Sequence, residues 1–364
     1  METPEMTNDG RRALVVGVTG IQGGTLSDRL VDHGWEVFGL SRSGGAEAEG
    51  VTPVKADLLD DSFVGAAVAD IDPTHVFYTA WLRQDTEAEN CQVNGAMLRN
   101  LLRGVSSASN LKHVALTTGL KHYLGPFEAY ALIEPDTPFR EEQDRLPYQN
   151  FYYDQEDILW EFADKVGFTW SVHRPHTVIG WAIGNAMNMG VTLSVYASIC
   201  RETGMPFVFP GSPEQYNAVT DVTDSRILAS QLEWAATTPA AANNALNIVN
   251  GDQFRWRRMW SIVAEGLGVE AGEYTGHPTP LVEQMGDSGP IWDQIVDKYG
   301  LVAYPVDRLA SWWHTDADLG RTIETFTDMT KSRMLGFTDF QPTDRSFLDL
   351  FDRLRAEKVI PPLG

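Results

Sequence analysis

The apolar run Ala13-Leu14-Val15-Val16 passes directly into Gly17-Val18-Thr19-Gly20-Ile21-Gln22-Gly23, and that junction leaves few folds open. A buried strand that turns through three glycines at this spacing and then starts a helix is how a parallel dinucleotide-binding sheet begins. The glycines let backbone amides approach a pyrophosphate, and the helix start adds partial positive charge. The second strand, Glu36-Val37-Phe38-Gly39-Leu40, runs out into Ser41-Arg42-Ser43. A site selective for NAD places an acidic residue on the ribose diol here, whereas an arginine suits a 2′-phosphate, so the expected cofactor is NADPH/NADP. A solvated loop arginine is the alternative for Arg42.

Strand and helix patterns alternate as far as about residue 178. Glu36–Leu40 and Val51–Ala56 read as strands, and Asp60-Asp61-Ser62 marks a helix start. His75–Ala80 is the fourth strand, Thr86–Val105 a long helix, Lys112–Thr117 the fifth strand and Trp170–His173 the sixth. The expected class is α/β: a doubly wound parallel Rossmann sheet with a smaller, mostly C-terminal substrate-binding portion. The expected division is a flexible N-terminus over 1–11, an NADP-binding domain over 12–178 and about 215–250, and a substrate portion over about 179–214 and 251–364. Ligands of such a sheet bind beyond the carboxyl ends of its strands, at Thr79–Trp81, Thr117–Phe127 and Arg174–Gly180. Tryptophan and methionine around 181–215 suggest an apolar pocket.

The formal net charge of −22 argues against nucleic acid or an anionic membrane as a partner. It also opposes an anionic cofactor, so local donors must overcome the wider field. Cys91 and Cys200 lack motif spacing, no apolar run reaches spanning length, and the polar start is unlike a signal peptide. A cytoplasmic protein acting on a small apolar carbonyl substrate is expected. His113, His122, His173 and His176 show no metal spacing, and no metal is expected. A homodimer is left open.

The helix after the fifth strand begins Asn150-Phe151-Tyr152-Tyr153-Asp154-Gln155-Glu156-Asp157. Tyr153, Asp157 and Glu161 share one face at helical spacing. In short-chain dehydrogenases this helix carries Tyr-x-x-x-Lys, in which the lysine cation lowers the phenol pKa. Counting from Tyr153, Asp157 holds the lysine's place, and a carboxylate beside a phenol acts in the opposite sense. A catalytic site then needs its cation from elsewhere, and Lys121, just past the fifth strand, is the candidate; a solvated loop lysine is the alternative reading.

Thr118-Gly119, Lys121-His122-Tyr123, Gly125-Pro126-Phe127, Asn150-Phe151-Tyr152-Tyr153 and Ser171-Val172-His173-Arg174-Pro175 together resemble the progesterone 5β-reductase/iridoid synthase family of extended short-chain dehydrogenases. Phe77-Tyr78-Thr79-Ala80-Trp81, Phe209-Pro210-Gly211, Asn250-Gly251-Asp252 and Leu335-Gly336-Phe337 continue the likeness over nearly the whole chain. The resemblance implies NADPH-dependent reduction of a carbon–carbon double bond conjugated to a carbonyl, with hydride delivered to the β-carbon. It implies that Tyr153 holds the developing enolate oxygen and that Lys121 supplies the displaced cation, with Thr118 as support or as an ordinary strand-end threonine. Tyr153 is preferred because Glu161 follows it by two helical turns; Tyr152 then packs or lines the site.

Other implied cofactor contacts are Gly17, Thr19, Gly20, Ile21, Gln22, Gly23, Ser41, Arg42, Ser43, Asp57, Leu58, Thr79, Ala80, Trp81, Thr118, Lys121, Tyr153, Pro175, Thr177 and Val178. The implied substrate pocket is Trp81, Phe127, Tyr152, Trp181 and Met187. Val178-Ile179-Gly180-Trp181 departs from the Phe-Gly-Phe common in plant members, so the likeness does not extend to steroid or iridoid specificity. A ketone or aldehyde reductase and a non-catalytic NADP(H) sensor stand as alternatives.

Overall fold

The computed structural model describes residues 10–45, 48–126, 129, 134–185 and 187–363. Strands β1 (Arg12–Val16), β2 (Glu36–Ser41), β3 (Val51–Lys55), β4 (His75–Tyr78), β5 (His113–Thr117), β6 (Thr169–Pro175) and a further strand, Asn244–Ile248, form one sheet. Two short strands, β7 (Val178–Ile179) and β8 (Thr223–Asp224), pair separately, so the strand at Asn244–Ile248 is β9. The sheet order is β3-β2-β1-β4-β5-β6-β9, parallel throughout. The doubly wound sheet expected from the alternating pattern is therefore present, with a seventh strand that the apolar pattern did not reveal.

Alternation along each strand builds two layers of core. Leu14, Val16, Val76, Tyr78, Val114 and Leu116 face α2 (Asp61–Ala69), α3 (Glu87–Val105) and, beyond a single-turn helix α4 (Lys121–Leu124), α5 (Phe151–Val166). Ala13, Val15, Phe77 and Ala115 face the other way, onto α1 (Ile21–Asp32). A third core gathers around α6 (Met189–Thr203) and includes Phe207, Phe209, Trp256, Trp260, Trp292 and Phe351. After the short α7 (Pro213–Asn217), α8 (Ser225–Thr237) returns to the sheet beside α1, and α9 (Trp256–Leu267) packs in the third core. Met329 and Phe337 lie in the α1–α8 layer, so the chain rejoins the sheet near its end. The N-terminus expected to be flexible lies, through residue 9, outside the described residues.

Local chemistry explains the helices that matter for the site. Thr86 and Glu89 close a reciprocal capping box on α3. The Asn150 side chain accepts from the Tyr152 amide to start α5, which ends on Gly167 in the left-handed region (φ 91°).

Candidate active site

The register brings the strand ends level. Val16 pairs with Leu40 on one side and Tyr78 on the other, and Leu116 pairs with both Tyr78 and Val172. The order in which strands are laid down reverses between the parallel β1 and β4, and the cleft opens at that switch point. Gly17 turns at φ +88°, where a Cβ would touch Thr79 Oγ1 and the Ala80 backbone. A Cβ on Gly23 would stand 2.4 Å from the Gly17 carbonyl oxygen, so only glycine lets α1 pack this closely on the turn. Gly20 caps α1 without a side chain, and the first-turn residues Ile21, Gln22 and Gly23 line the cleft with it.

A cavity of about 530 Å³ runs along this edge past Gly17, Thr19, Gly20, Ser41, Arg42, Asp57, Leu58, Thr79, Ala80 and Trp81. Backbone turn, arginine and depth fit an NADP molecule, with Arg42 at the end where a 2′-phosphate belongs. Asp57 accepts from the Leu59 amide (3.0 Å) and still reaches the cavity wall. Ser43 does not: the chain turns away through Gly44, and the Ser43 hydroxyl sits between Ser41 Oγ and the Gly45 amide.

Beyond Gly20, Thr79 and Trp81 the cleft continues into a second cavity of about 190 Å³. Ile21, Gln22, Gly23, Thr118, Gly119, Lys121, Tyr152, Pro175, Thr177, Val178 and Met187 line it. Lys121 and Tyr152 thus share one chamber, the first from α4 and the second from the first turn of α5. The Lys121 ammonium lies 2.9 Å from Glu87 Oε2 and 4.9 Å from the centre of the Phe151 ring. The other Glu87 oxygen accepts the Phe151 amide (3.0 Å), so one carboxylate fixes both the lysine and the start of the helix bearing Tyr152. Trp81 stacks on Phe151 at 5.6 Å and walls both cavities.

Two expected residues of this chamber lie elsewhere. Tyr153 points away from the chamber: its hydroxyl donates to the His122 carbonyl (2.5 Å) and accepts the Leu146 amide (3.1 Å). Burial raises its pKa. One residue along a helix rotates a side chain by about 100°, and that step separates chamber from core here. Glu161, the reason for preferring Tyr153, is a surface partner of Arg99 and Lys165. Trp181 lines a different cavity, beside Arg29 and Arg226, under the Arg353 guanidinium, so it is no wall of the reactive chamber. Phe127 lies outside the described residues.

Counting four residues on from Tyr152 instead of Tyr153 puts Glu156, not Asp157, in the place of the missing lysine. Glu156 is fully buried and faces inward, receiving Arg174 (2.9 Å) and Arg145 (3.0 Å). Burial works against its ionisation, yet the neighbouring His122 ring and Arg174 hold its carboxyl at about 2. Asp157 is exposed beside Arg145.

Sequence reasoning also missed Glu87, Arg83 on the wall of the larger cavity, and His176, His314, Asp318 and Arg321 on the wall of the smaller one. Glu87 alone left a signal, the acidic first turn after Thr86. The C-terminal trio carries no local motif and reaches the chamber only through tertiary packing.

Residues 54–361 match the family described as the PRISE-like Rossmann-fold domain. The chain is 41% identical to an (S)-8-oxocitronellyl enol synthase of Nepeta racemosa over 362 residues, 96% of this chain and 93% of that one. It is 38% identical to a 3-oxo-Δ(4,5)-steroid 5β-reductase of Arabidopsis thaliana, again covering 96% and 93%. Among solved structures, a UDP-glucose 4-epimerase of Thermotoga maritima superposes with a TM-score of 0.68 at 15% identity, over 95% of this chain and 99% of that one. That likeness speaks for the fold alone.

Proposed function

This chain belongs to the PRISE-like Rossmann-fold family, and on that premise we propose that it is an NADPH-dependent reductase of the carbon–carbon double bond of α,β-unsaturated carbonyl compounds. The observation that carries the reading is the pairing of a phenol and an ammonium in one chamber at the sheet's carboxyl edge, with the usual helix lysine replaced by an inward-facing carboxylate. When bound, NADPH supplies the hydride that adds to the substrate's β-carbon. The chain's own task is to hold the carbonyl oxygen as negative charge moves onto it. Tyr152 offers a hydroxyl donor for that oxygen, and the Lys121 cation steadies the charge from α4. Glu87 keeps the lysine in place and also neutralises it in the resting site. Preplaced donors of this kind supply on the order of several kcal/mol to the transition state, more than proton transfer alone. Trp81 and Phe151 close one side against water, and Thr118 sits at the strand end with its hydroxyl near the His173 carbonyl.

The relatives' names speak of an oxocitronellyl enol and of the 5β-reduction of a 3-oxo-Δ(4,5)-steroid, and hydride addition to a double bond conjugated to a carbonyl yields an enol or its saturated ketone. The test is NADPH oxidation with 2-cyclohexenone, a 2-alkenal and the matched saturated ketone, with the product identified. Wild type is run beside Tyr152→Phe, Lys121→Ala and Tyr153→Phe. The expected outcome is saturated product from the conjugated compounds, with kcat lowered about 10²–10³-fold by Tyr152→Phe and by Lys121→Ala. Tyr153→Phe should stay within a few fold and lose about 1 kcal/mol of stability through its two buried hydrogen bonds. Collapse in Tyr153→Phe with Tyr152→Phe unaffected would reverse the assignment. Turnover of the saturated ketone alone would make the enzyme a carbonyl reductase.

A further inference from the structure

The wall of the reactive chamber facing the C-terminal part of the chain is polar, against the expectation of an apolar pocket. The helix Trp312–Leu319 brings His314 and Asp318 there, one turn apart, and Arg321 follows just beyond it. Arg321 is 8% exposed in its side chain and forms an ion pair with Asp318, which also accepts Thr177 Oγ1 (3.0 Å). The second guanidinium arm reaches His176 Nε2 (2.6 Å), and His176 Nδ1 lies 2.7 Å from Asp221. A guanidinium can only donate, so Nε2 of His176 is the acceptor and its proton sits on Nδ1, toward Asp221. His176 is thereby fully engaged within the protein.

His314 is not. Its Nδ1 is buried with no partner among the described residues, and so is Arg321 Nε. Its other ring nitrogen is not sealed in this way, and the ring lines the chamber. A buried N–H without an acceptor is rarer than a buried bare lone pair, which places the His314 proton on Nε2, facing the chamber. Burial, opposed by Asp318 and aided by Arg321 and Arg83, lowers the His314 pKa. The wall therefore presents an N–H donor beside a carboxylate acceptor. Asp318 pairs with Arg321 and Asp221 with the His176 ring, so the guanidinium of this wall is already answered by a carboxylate and is not free to hold an anion. A neutral group that both donates and accepts suits it, and that group is a hydroxyl.

We propose that His314, with Asp318 and Arg321 behind it, forms a subsite for a hydroxyl group carried by the unsaturated carbonyl substrate away from its reacting end. The substrate class is a hydroxylated enal or enone rather than a plain hydrocarbon-chain one, and the assignment rests on the reductase reading given above. A site built to hydrogen-bond a hydroxyl discriminates strongly against the analogue that lacks it, because its own polar groups are then left unpaired.

The experiment compares kcat/KM for 2-hexenal and 2-octenal with their terminally hydroxylated counterparts, using the full-length enzyme with NADPH. Wild type should prefer a hydroxylated member by about tenfold or more, the factor that corresponds to one well-made buried hydrogen bond. His314→Phe should cut that preference by about tenfold, chiefly through KM. His314→Gln retains an N–H and should keep most of it. A wild type that favours the unhydroxylated compounds overturns the subsite, as does a preference that His314→Phe leaves unchanged. If the wild type oxidises NADPH with none of the four, the reductase reading itself has failed, an outcome distinct from turnover without preference.

Discussion

Arg42 is exposed on the loop after β2, and in the proposed role it has to draw a phosphate to a molecule of net charge −22. The wider field opposes it at long range, but that field is screened beyond about 10 Å at ordinary salt, whereas a guanidinium–phosphate contact acts at hydrogen-bond distance. A charge-assisted hydrogen bond of this kind contributes about 1.5–3 kcal/mol, so Arg42→Ala should lower kcat/KM for NADPH by about 10–100-fold and leave that for NADH nearly unchanged. Arg83 lines the same cavity, and its guanidinium lies 3.7 Å from the centre of the Trp313 ring. Arg83→Ala should therefore change the ratio less than Arg42→Ala. Steady-state kinetics with both cofactors decides it: an NADPH/NADH ratio that survives Arg42→Ala leaves the 2′-phosphate without its expected partner. At this scale a single helical step also separates Tyr152 from Tyr153.

Between elements, Glu156 clamps α5 to β6 through Arg174 and to the loop before it through Arg145. The position that in related helices carries a catalytic cation here serves to seat the helix that presents Tyr152. Glu156→Gln would leave the buried Arg174 guanidinium without its counter-charge, while Arg145 keeps Asp157, and losing one partner of such a buried pair costs about 3–5 kcal/mol. The effect depends on pH. The carboxyl titrates near 4.5 unfolded and about 2 folded, so its contribution is complete above 4.5 and is lost as pH falls toward 2. The stability gap between wild type and Glu156→Gln, measured by denaturant unfolding, should be widest at neutral pH and narrow across that window. A gap that stays constant there would show that packing, not charge, holds α5.

The elements themselves were largely legible. Strands β1 to β6, α3 and α5 are written in local periodicity and caps, and so is the glycine turn. β9 was not, because Asn244-Ala245-Leu246-Asn247-Ile248 interrupts its apolar run with asparagines. Asn247 has a structural use that only tertiary contact reveals, accepting Tyr123 OH (2.6 Å) and donating to the Phe139 carbonyl (3.0 Å). The lining of the larger cavity was legible for the same reason as the strands: its residues lie mostly on strand ends and the turns that follow. Which tyrosine faces the chamber, and which C-terminal residues complete it, depend on helix rotation and long-range packing, for which spacing along the chain carries no signal.

At the scale of the whole molecule, the sheet holds a line of histidines that burial keeps neutral. His113 Nε2 and His173 Nε2 share Ser171 Oγ at 2.9 and 2.8 Å, and His173 continues to Gln231 on α8 at 2.8 Å. His75 lies against Trp35 in the same sheet. Burial lowers the pKa values from 6.5 to about 4 for His75 and His173 and to about 3 for His113. The unfolded chain takes up protons at these positions near 6.5, while the folded chain does not until about 4 or below. Stability is therefore complete above 6.5 and falls with pH through that interval, each histidine contributing up to about 1.4 kcal/mol per pH unit. An opposing trend exists, because protonating some of the surplus carboxylates eases the self-repulsion of a chain at −22. The two separate by salt. Screening weakens the repulsion between surface charges and leaves buried rings largely untouched. In high salt, denaturant unfolding should show the histidine slope more plainly below 6.5, and His173→Gln should flatten it. A slope that high salt abolishes would assign the acid response to surface charge and not to the sheet's interior.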